Sequence, residues 1–451
     1  MTSAYDGRAV AVAGAGVSGA AAARVLRDLG ARVHVVDADA AALEVLAAEG
    51  FVTGAALPEE LDLVVTSPGW RPTAPLLVEA LSRGVEVIGE VELAWRLRPP
   101  SAAPWLALTG TNGKTTTVTM LSAVLSAAGH RAVAAGNVGL PLLEAVLAPE
   151  PYDVLAVELS SFQLHWSPGV RPHTGALLNL ADDHTDWHGS FQDYALAKAR
   201  VLQAGVSVGN ADDEVVRTLL SRAPGRRVSF TLQAPRAGEL GVVEGLLVDR
   251  AFPDVAGEAS ELAALDDLTV AGPHNVANAL AAAAMARSFG VPAQAVRDGL
   301  RGYQPQPHRN ALVRVLDGVA WVDDSKATNP HAAGASLAAY DPVVWVAGGL
   351  LKGADVDDLV RTGAPRLRAA VLLGTDRGVI RDALARHAPD VPVVEVARLD
   401  TGAMQEVVTA ARALARPGDT VLLAPAAASM DCFRDYAQRG DLFAEAVQAL
   451  A

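Results

Sequence analysis

Short apolar runs alternate with Ala- and Leu-rich segments along almost the whole chain. "AVAVAG" (9–14), "RVHVVD" (32–37) and "LDLVVTS" (61–67) read as strands. "AAARVLRDLG" (21–30) and "AALEVLAAEG" (41–50) read as the helices between them, each closed by glycine. Strands that are apolar throughout are buried on both faces, so this βαβ rhythm predicts a mostly parallel sheet covered by helices. The rhythm returns late in the chain, in "DPVVWVAGG" (341–349), "AAVLLGTD" (369–376), "VPVVEV" (391–396) and "DTVLLAP" (419–425). It breaks at the proline clusters "RLRPPSAAP" (96–104) and "YQPQPHR" (303–309), which mark linkers. The expected organisation is α/β with one small, one large and one medium domain, at 1–97, 98–304 and 305–451.

Composition narrows the function classes. Of 451 residues, 51% are hydrophobic and 20% charged, the balance of a folded soluble protein. The net charge of −14 argues against non-specific binding to nucleic acid or anionic membrane. One cysteine, Cys432, excludes an internal disulfide and fits a reducing cytosol. Two stretches mimic other things. Ala9–Ala23 resembles a signal peptide, but the glycines and serine at its centre suit a strand–turn–helix better. The uncharged run Leu268–Ala286 is long enough to suggest a membrane span, yet "GPHN" and Asn278 predict a buried helix with a polar start. The expectation is a cytoplasmic protein with no membrane insertion.

Two glycine turns carry candidate chemistry. Gly14, Gly16 and Gly19 form G-x-G-x-x-G directly after a strand, and Asp37 ends the next strand. Such a turn places an anion at a helix N-terminus. It suits a dinucleotide, equally the diphosphate of a nucleotide-sugar, or a turn that only packs helix on strand. The second turn lies in "LALTGTNGKTTTV" (106–118). Gly113, Lys114 and Thr115 fit a phosphate loop, but Leu108 stands where the first glycine belongs and Gly110 comes two residues late. Strand, glycine loop, Lys-Thr and helix nevertheless occur in the order the chemistry needs. Backbone N–H groups wrap phosphates, Lys114 neutralises charge, and Thr115 offers an oxygen to Mg²⁺.

Carboxylates and histidines follow. Glu158 ends the strand in "DVLAVELSSFQL" (153–164), where ligands of a parallel sheet collect, and is a natural metal ligand or a capping glutamate. "LLNLADDHTDWHG" (177–189) gathers Asp182, Asp183, His184, Asp186 and His188; it matches no zinc spacing, so a hard cation beside ATP fits better. In "FQDYALAKARVL" (191–202), Phe191, Tyr194, Lys198, Val201 and Leu202 share one helix face. Spacing alone reads Lys198 as a snorkelling side chain with a packed stem.

"TGTNGKTT", "ELSSFQL", "DHTDWHG" with "YALAKARV", "GPHNVANALAA", "PHR", "DDSKATN" and "ASMDCFRDYAQRGDLF" stand in this order. Together they resemble the Mur ligase family of peptidoglycan synthesis, over essentially the whole chain. The resemblance implies a Rossmann-like N-terminal domain that binds the UDP substrate, a central P-loop ATPase domain, and a Rossmann-like C-terminal domain that brings the amino acid. It accounts for the short loop, which the family uses as G-T-N-G-K-T. It implies that the alanyl carboxylate of UDP-N-acetylmuramoyl-L-alanine takes the γ-phosphate of ATP, and that D-glutamate attacks the acyl phosphate. By the same resemblance, Gly110, Thr111, Asn112, Gly113, Lys114, Thr115 and Thr116 form the ATP loop, with Asn275, Asn278 and Arg309 also on the nucleotide. Thr115, Glu158, His184 and Lys198 surround two Mg²⁺ ions, Lys198 being carbamylated. Lys114, Glu158, His184, Lys198 and Lys326 are the implied catalytic set. Asn137 contacts substrate, Ser18, Asp37 and Ser67 line the UDP pocket, and Lys326, Thr328, Lys352, Ser429 and Tyr436 hold D-glutamate. A monomer without nucleic-acid partners is expected.

Two positions depart from the family pattern: Leu350 in "GGLLKG" replaces an expected aspartate, and Tyr436 stands where phenylalanine is common. Other readings stay open on sequence. A sister ligase could add a different amino acid or extend folate, although the D-N-P-R motif of the diaminopimelate-adding sisters is absent. An NAD-dependent oxidoreductase would use Gly14–Gly19 but leaves Lys114 and Lys198 without a role. A non-enzymatic nucleotide-binding scaffold would tolerate loss of Glu158 and His184.

Overall fold

The computed structural model describes residues 4–99, 101–255, 257–270 and 272–450. It holds three sheets. The first contains β1 (Ala9–Ala13), β2 (Arg32–Val36), β3 (Val52–Gly54), β4 (Leu63–Thr66) and β5 (Glu86–Gly89), in the order β3-β2-β1-β4-β5. All its pairings are parallel. β1 is buried at every residue, as its unbroken Ala/Val run predicts.

The second sheet contains β6 (Trp105–Thr109), β7 (Ala132–Gly136), β8 (Val154–Glu158), β9 (Thr174–Leu177), β10 (Val206–Asn210), β11 (Arg226–Phe230), β12 (Glu239–Val243), β13 (Leu246–Asp249) and β14 (Ser260–Ala264). Its order is β14-β13-β12-β11-β10-β9-β6-β8-β7. Pairing is parallel from β7 to β12 and antiparallel through β13 and β14. The reversal comes at Glu244-Gly245, where φ is 50° and 80°. Two successive positive φ values are those of a tight hairpin turn whose twist matches the strands.

The third sheet contains β15 (Ala311–Leu316), β16 (Val319–Asp323), β17 (Val343–Gly348), β18 (Leu367–Leu373), β19 (Val393–Glu395) and β20 (Thr420–Leu423), ordered β15-β16-β20-β17-β18-β19. β15 is its antiparallel edge, joined to β16 through Asp317-Gly318 at φ 51° and 76°. The remaining pairings are parallel.

The chain forms two compact units. One comprises the chain through Ala264 together with Asn278–Leu300; the other comprises Leu265–Ala277 and the chain from Arg301. Within the first unit the first two sheets are stitched together by polar contacts. The Gly89 N–H bonds Trp166 C=O at 2.8 Å, Glu92 accepts from the Gly169 N–H at 2.8 Å, and Arg71 pairs with Asp186 at 2.7 Å. Glu90, buried, accepts from the Leu143 N–H at 3.2 Å. The run 268–286 contributes to the helix Pro273–Ser288, with Ala279–Ala286 fully buried. Among the described residues no helix is long and apolar enough to cross a membrane. In the last turn of the helix Pro273–Ser288, the buried Arg287 guanidinium pairs with Asp249 and Asp254, each at 2.8 Å.

Candidate active site

The short loop is built as its sequence requires. β6 delivers the chain to Gly110, and the helix Lys114–Ala127 starts directly after Gly113. Gly113 sits at φ 77°, and a Cβ there would lie 2.3 Å from Asn278 Oδ1. Gly110 packs against the segment just beyond β9, where a Cβ would lie 2.9 Å from Leu178 Cβ. Both loop glycines are therefore demanded by backbone conformation or close approach. The Lys114 ammonium reaches back to the carbonyls of Gly110 and Thr111, at 2.9 and 2.7 Å. Asn278 Oδ1 also accepts from Thr117 Oγ1 at 3.2 Å, so this implied nucleotide residue lies behind the loop.

Glu158 ends β8 beside the loop and is fully buried. Thr115 Oγ1 donates to its Oε2 and Asn137 Nδ2 to its Oε1, both at 2.8 Å. Three of the residues implied by resemblance thus form one chain of hydrogen bonds. Thr115 and Glu158 supply hard oxygen. Among the described residues, however, no three His, Cys, Asp or Glu side chains cluster to form a protein-only metal cage. Mg²⁺ on a nucleotide needs only one or two protein oxygens and takes the rest from phosphates and water, so this donor set fits it.

Lys198 does not snorkel. Its residue is 2% exposed, and the amine turns inward to Gly110 C=O at 2.8 Å and Thr109 Oγ1 at 3.2 Å, over the Tyr194 ring. Spacing alone misses this because helical periodicity places a side chain on a face without telling which way its end turns. Burial drives the amine's pKa well below the usual lysine value, and the neighbouring Lys114 charge adds to that; Asp183 and Glu158 oppose it. Tyr194 joins the loop too, its hydroxyl 2.9 Å from Thr111 Oγ1.

His184 stands at the N-terminus of the short helix Thr185–His188 at φ 54°, its ring centre 4.8 Å from that of Phe162 and tilted to it. Its pKa is lowered by desolvation, and the charges of Lys198 and Lys114 push the same way. The Asp183 charge opposes them, so Lys114 and Asp183 act on both His184 and Lys198. His188 bonds Ser161 Oγ at 2.9 Å, and burial lowers it to about 4.

In the first sheet, a Cβ on Gly19 would lie 1.8 Å from Gly14 C=O, and one on Gly14 would lie 2.3 Å from Ser67 Oγ. These glycines seat the helix Val17–Asp28 on the sheet, with Ser18 half-buried in its first turn. Asp37 accepts the Ala15 N–H at 2.6 Å and the Asp39 N–H at 3.0 Å. Burial raises its pKa, but these backbone bonds outweigh it and the net shift is downward.

In the second unit, Lys326 follows β16, and its amine lies 3.9 Å from the centre of the Tyr436 ring. The Thr328 N–H bonds Lys326 C=O at 2.8 Å. Ser429 is buried, whereas Lys352 is exposed at φ 55°. Leu350, at the departure position, pairs with Ala428 through two backbone bonds. Asn275 is buried and Arg309 half-buried. Burial and then Asp323 lift the Asp324 carboxyl to about 6, while Arg309 opposes. Sequence reasoning missed Arg439. It is wholly buried and donates to Ser325 Oγ, Ser325 C=O and Ala427 C=O at 2.9, 2.8 and 3.1 Å. An arginine in the same run as Tyr436, whose departure from the family pattern was noted, was the available signal.

A glycine loop between strand and Lys-Thr helix, a strand-end carboxylate bonded to the loop threonine, and a buried lysine against the loop define a nucleotide-binding α/β protein. Comparison with known proteins narrows this. Residues 108–286 match the Mur ligase middle domain, and residues 308–427 match the "Mur ligase, glutamate ligase domain". A protein of Thermobifida fusca named UDP-N-acetylmuramoylalanine--D-glutamate ligase is 60% identical, over 99% of both chains. One of the same name from Streptomyces coelicolor is 57% identical over 100% of both. The solved MurF ligase of Thermotoga maritima, in complex with ADP, shares the fold at TM-score 0.59 and 15% identity, covering 99% of this chain and 97% of its own. The chain belongs to the Mur ligase family.

Proposed function

We propose that this chain is an ATP-dependent amide-bond-forming ligase that adds D-glutamate to UDP-N-acetylmuramoyl-L-alanine in peptidoglycan precursor synthesis. The observation that carries the reading is the end-to-end identity of 57–60% to relatives named for that reaction. The site chemistry agrees. The substrate carboxylate attacks the γ-phosphorus of ATP, ADP leaves, and an acyl phosphate forms. The D-glutamate amine then attacks the acyl carbon, expelling phosphate and losing a proton.

Two anions must meet in the first step. The loop N–H groups and the Lys114 ammonium cancel charge on the phosphates. Thr115 and Glu158 would hold Mg²⁺, which would neutralise phosphate charge; His184 and a carbamylated Lys198 would stand around a second ion. Burial lowers the pKa of the Lys198 amine and so favours its neutral form, the form that takes up CO₂. Asn137 fixes the free face of Glu158. Lys326, Thr328, Lys352, Ser429 and Tyr436 are assigned to D-glutamate, and Ser18, Asp37 and Ser67 to the UDP moiety. Arg309, Asn275 and Asn278 are assigned to ATP. The domain limits 1–97, 98–304 and 305–451, a cytoplasmic location and a monomeric state complete the proposal.

The test is phosphate release with UDP-N-acetylmuramoyl-L-alanine, ATP and a panel of amino acids. D-glutamate should support turnover, with strict dependence on Mg²⁺. Faster turnover with L-glutamate, lysine or diaminopimelate would overturn the reading.

A further inference from the structure

The loop Gly110–Gly113 has glycine only at its two ends, so its middle peptides need restraint from outside. That restraint comes from the segment just beyond β9. The ladder between β6 and β9 continues past both strands: the Leu178 N–H bonds Thr109 C=O at 2.9 Å, and the Thr111 N–H bonds Asn179 C=O at 3.0 Å. The Asn179 side chain then adds two further rungs. Its Oδ1 accepts the Asn112 N–H at 2.8 Å, and its Nδ2 donates to Asn112 C=O at 3.0 Å. A carboxamide satisfying both backbone groups of one residue fixes the plane of the peptides on either side of it. The next peptide leads into Gly113 and then into the helix whose first N–H groups point out of its end. Turning the Asn112 peptide would re-aim those groups. Asn179 stands as one polar residue in the apolar run "LLNLA", which marks it in the sequence.

We infer that Asn179 is a positioning residue for nucleotide phosphate: its carboxamide locks the Asn112 peptide and thereby aims the N–H groups of the short loop. The inference rests on the nucleotide reading of the loop given above. It differs from a purely structural role in one respect, since it confines the effect of substitution to the nucleotide.

Asn179→Ala removes both rungs. Asn179→Asp keeps the shape and the acceptor, loses the donor, and sets a carboxylate against Asn112 C=O. Wild type and both variants are compared by calorimetric titration with ADP, by KM for each substrate, and by Tm. The expected result is a loss of roughly ten- to hundred-fold in ADP affinity and a matching rise in KM for ATP. Asn179→Asp should be the more severe. KM for D-glutamate and for the UDP substrate should stay within about two-fold, and Tm within a few degrees, the scale on which losing two part-buried hydrogen bonds shifts a chain of this size. ADP affinity equal to wild type in a folded variant overturns the inference. So does a fall in Tm with every KM rising together. If Asn179→Ala does not fold, the isosteric Asn179→Asp carries the same comparison. A wild-type protein that does not bind ADP refutes the nucleotide reading itself, and this inference with it.

Discussion

Replacing Lys198 by methionine should separate stability from activity. Methionine keeps the length of the stem and removes the amine. Few groups are orphaned by the change. Gly110 C=O keeps its bond from Lys114 at 2.9 Å, and the Thr109 hydroxyl keeps its bond to Leu159 C=O at 2.6 Å. The two lost contacts are worth about 0.5–1.5 kcal/mol each. Against them stands relief from burying a polar amine beside Lys114. At pH 7 the lost contacts limit any destabilisation to about 3 kcal/mol in total, and the relief, which grows as pH falls below 10.5, works against it. Its pH dependence has a definite sign. The folded-state pKa of Lys198 is depressed, so the wild type is fully stable only above the unfolded value of 10.5. Stability is lost as pH falls from there to the folded pKa, at up to ~1.4 kcal/mol per pH unit. The methionine variant lacks this slope and should gain on the wild type as pH falls. Turnover should drop by roughly 10²–10³ or more, the scale for deleting one preorganised electrostatic group. Urea denaturation at several pH values, paired with phosphate release, measures both. Destabilisation beyond about 3 kcal/mol, or activity within ten-fold of wild type, would refute the reasoning.

Glu90→Gln should stabilise the protein at alkaline pH. Burial raises the Glu90 pKa from 4.5 to about 7, so its contribution is intact below pH 4.5 and is lost as pH rises through 7. The gain should reach roughly 3 kcal/mol at pH 8, at about 1.4 kcal/mol per unit, and vanish near pH 4; equal urea midpoints at both pH values would contradict it. Asp249→Ala leaves the buried Arg287 guanidinium, among the described residues, with the exposed Asp254 as its one ion partner, and should lower stability by about 3–5 kcal/mol in the same assay. Lys326→Ala and Lys352→Ala should raise the KM for D-glutamate by roughly ten-fold or more, the cost of one charge-assisted contact. Lys352→Ala should do so more selectively than Lys326→Ala, and an unchanged value in both would move the amino-acid site elsewhere.

Much of the site was legible because its chemistry is local in sequence. Strand, glycines, Lys114 and Thr115 follow one another within a dozen residues, and the unbroken apolar runs announced parallel strands. What escaped detection depends on contacts between distant segments. Asn179 lies 67 residues from the loop residue it holds. Arg439 lies 114 residues from Ser325. The two hairpins were missed for another reason: "LDGVA" and "VEGLL" carry the turn residues, but the prevailing βαβ rhythm drew attention from them. Lys198 was placed on the right helix face, yet spacing favoured a solvated amine over the buried one that forms.

Arg439 has a consequence for how this fold can change over time. Its guanidinium is held by Ser325 and Ala427, from the segments after β16 and β20, with Gly348 at the end of β17 close by at 3.5 Å. Those segments lead to Lys326, Ser429 and Lys352 respectively. Its bonds at these distances go to a hydroxyl and to backbone carbonyls, groups that only a guanidinium in this one place can gather. The three segments are thereby bound to a common fate: drift in one is visible to the other two. Among descendants of such a chain, Arg439 and Ser325 should be inherited together, while residues projecting from the same segments diversify around that fixed point.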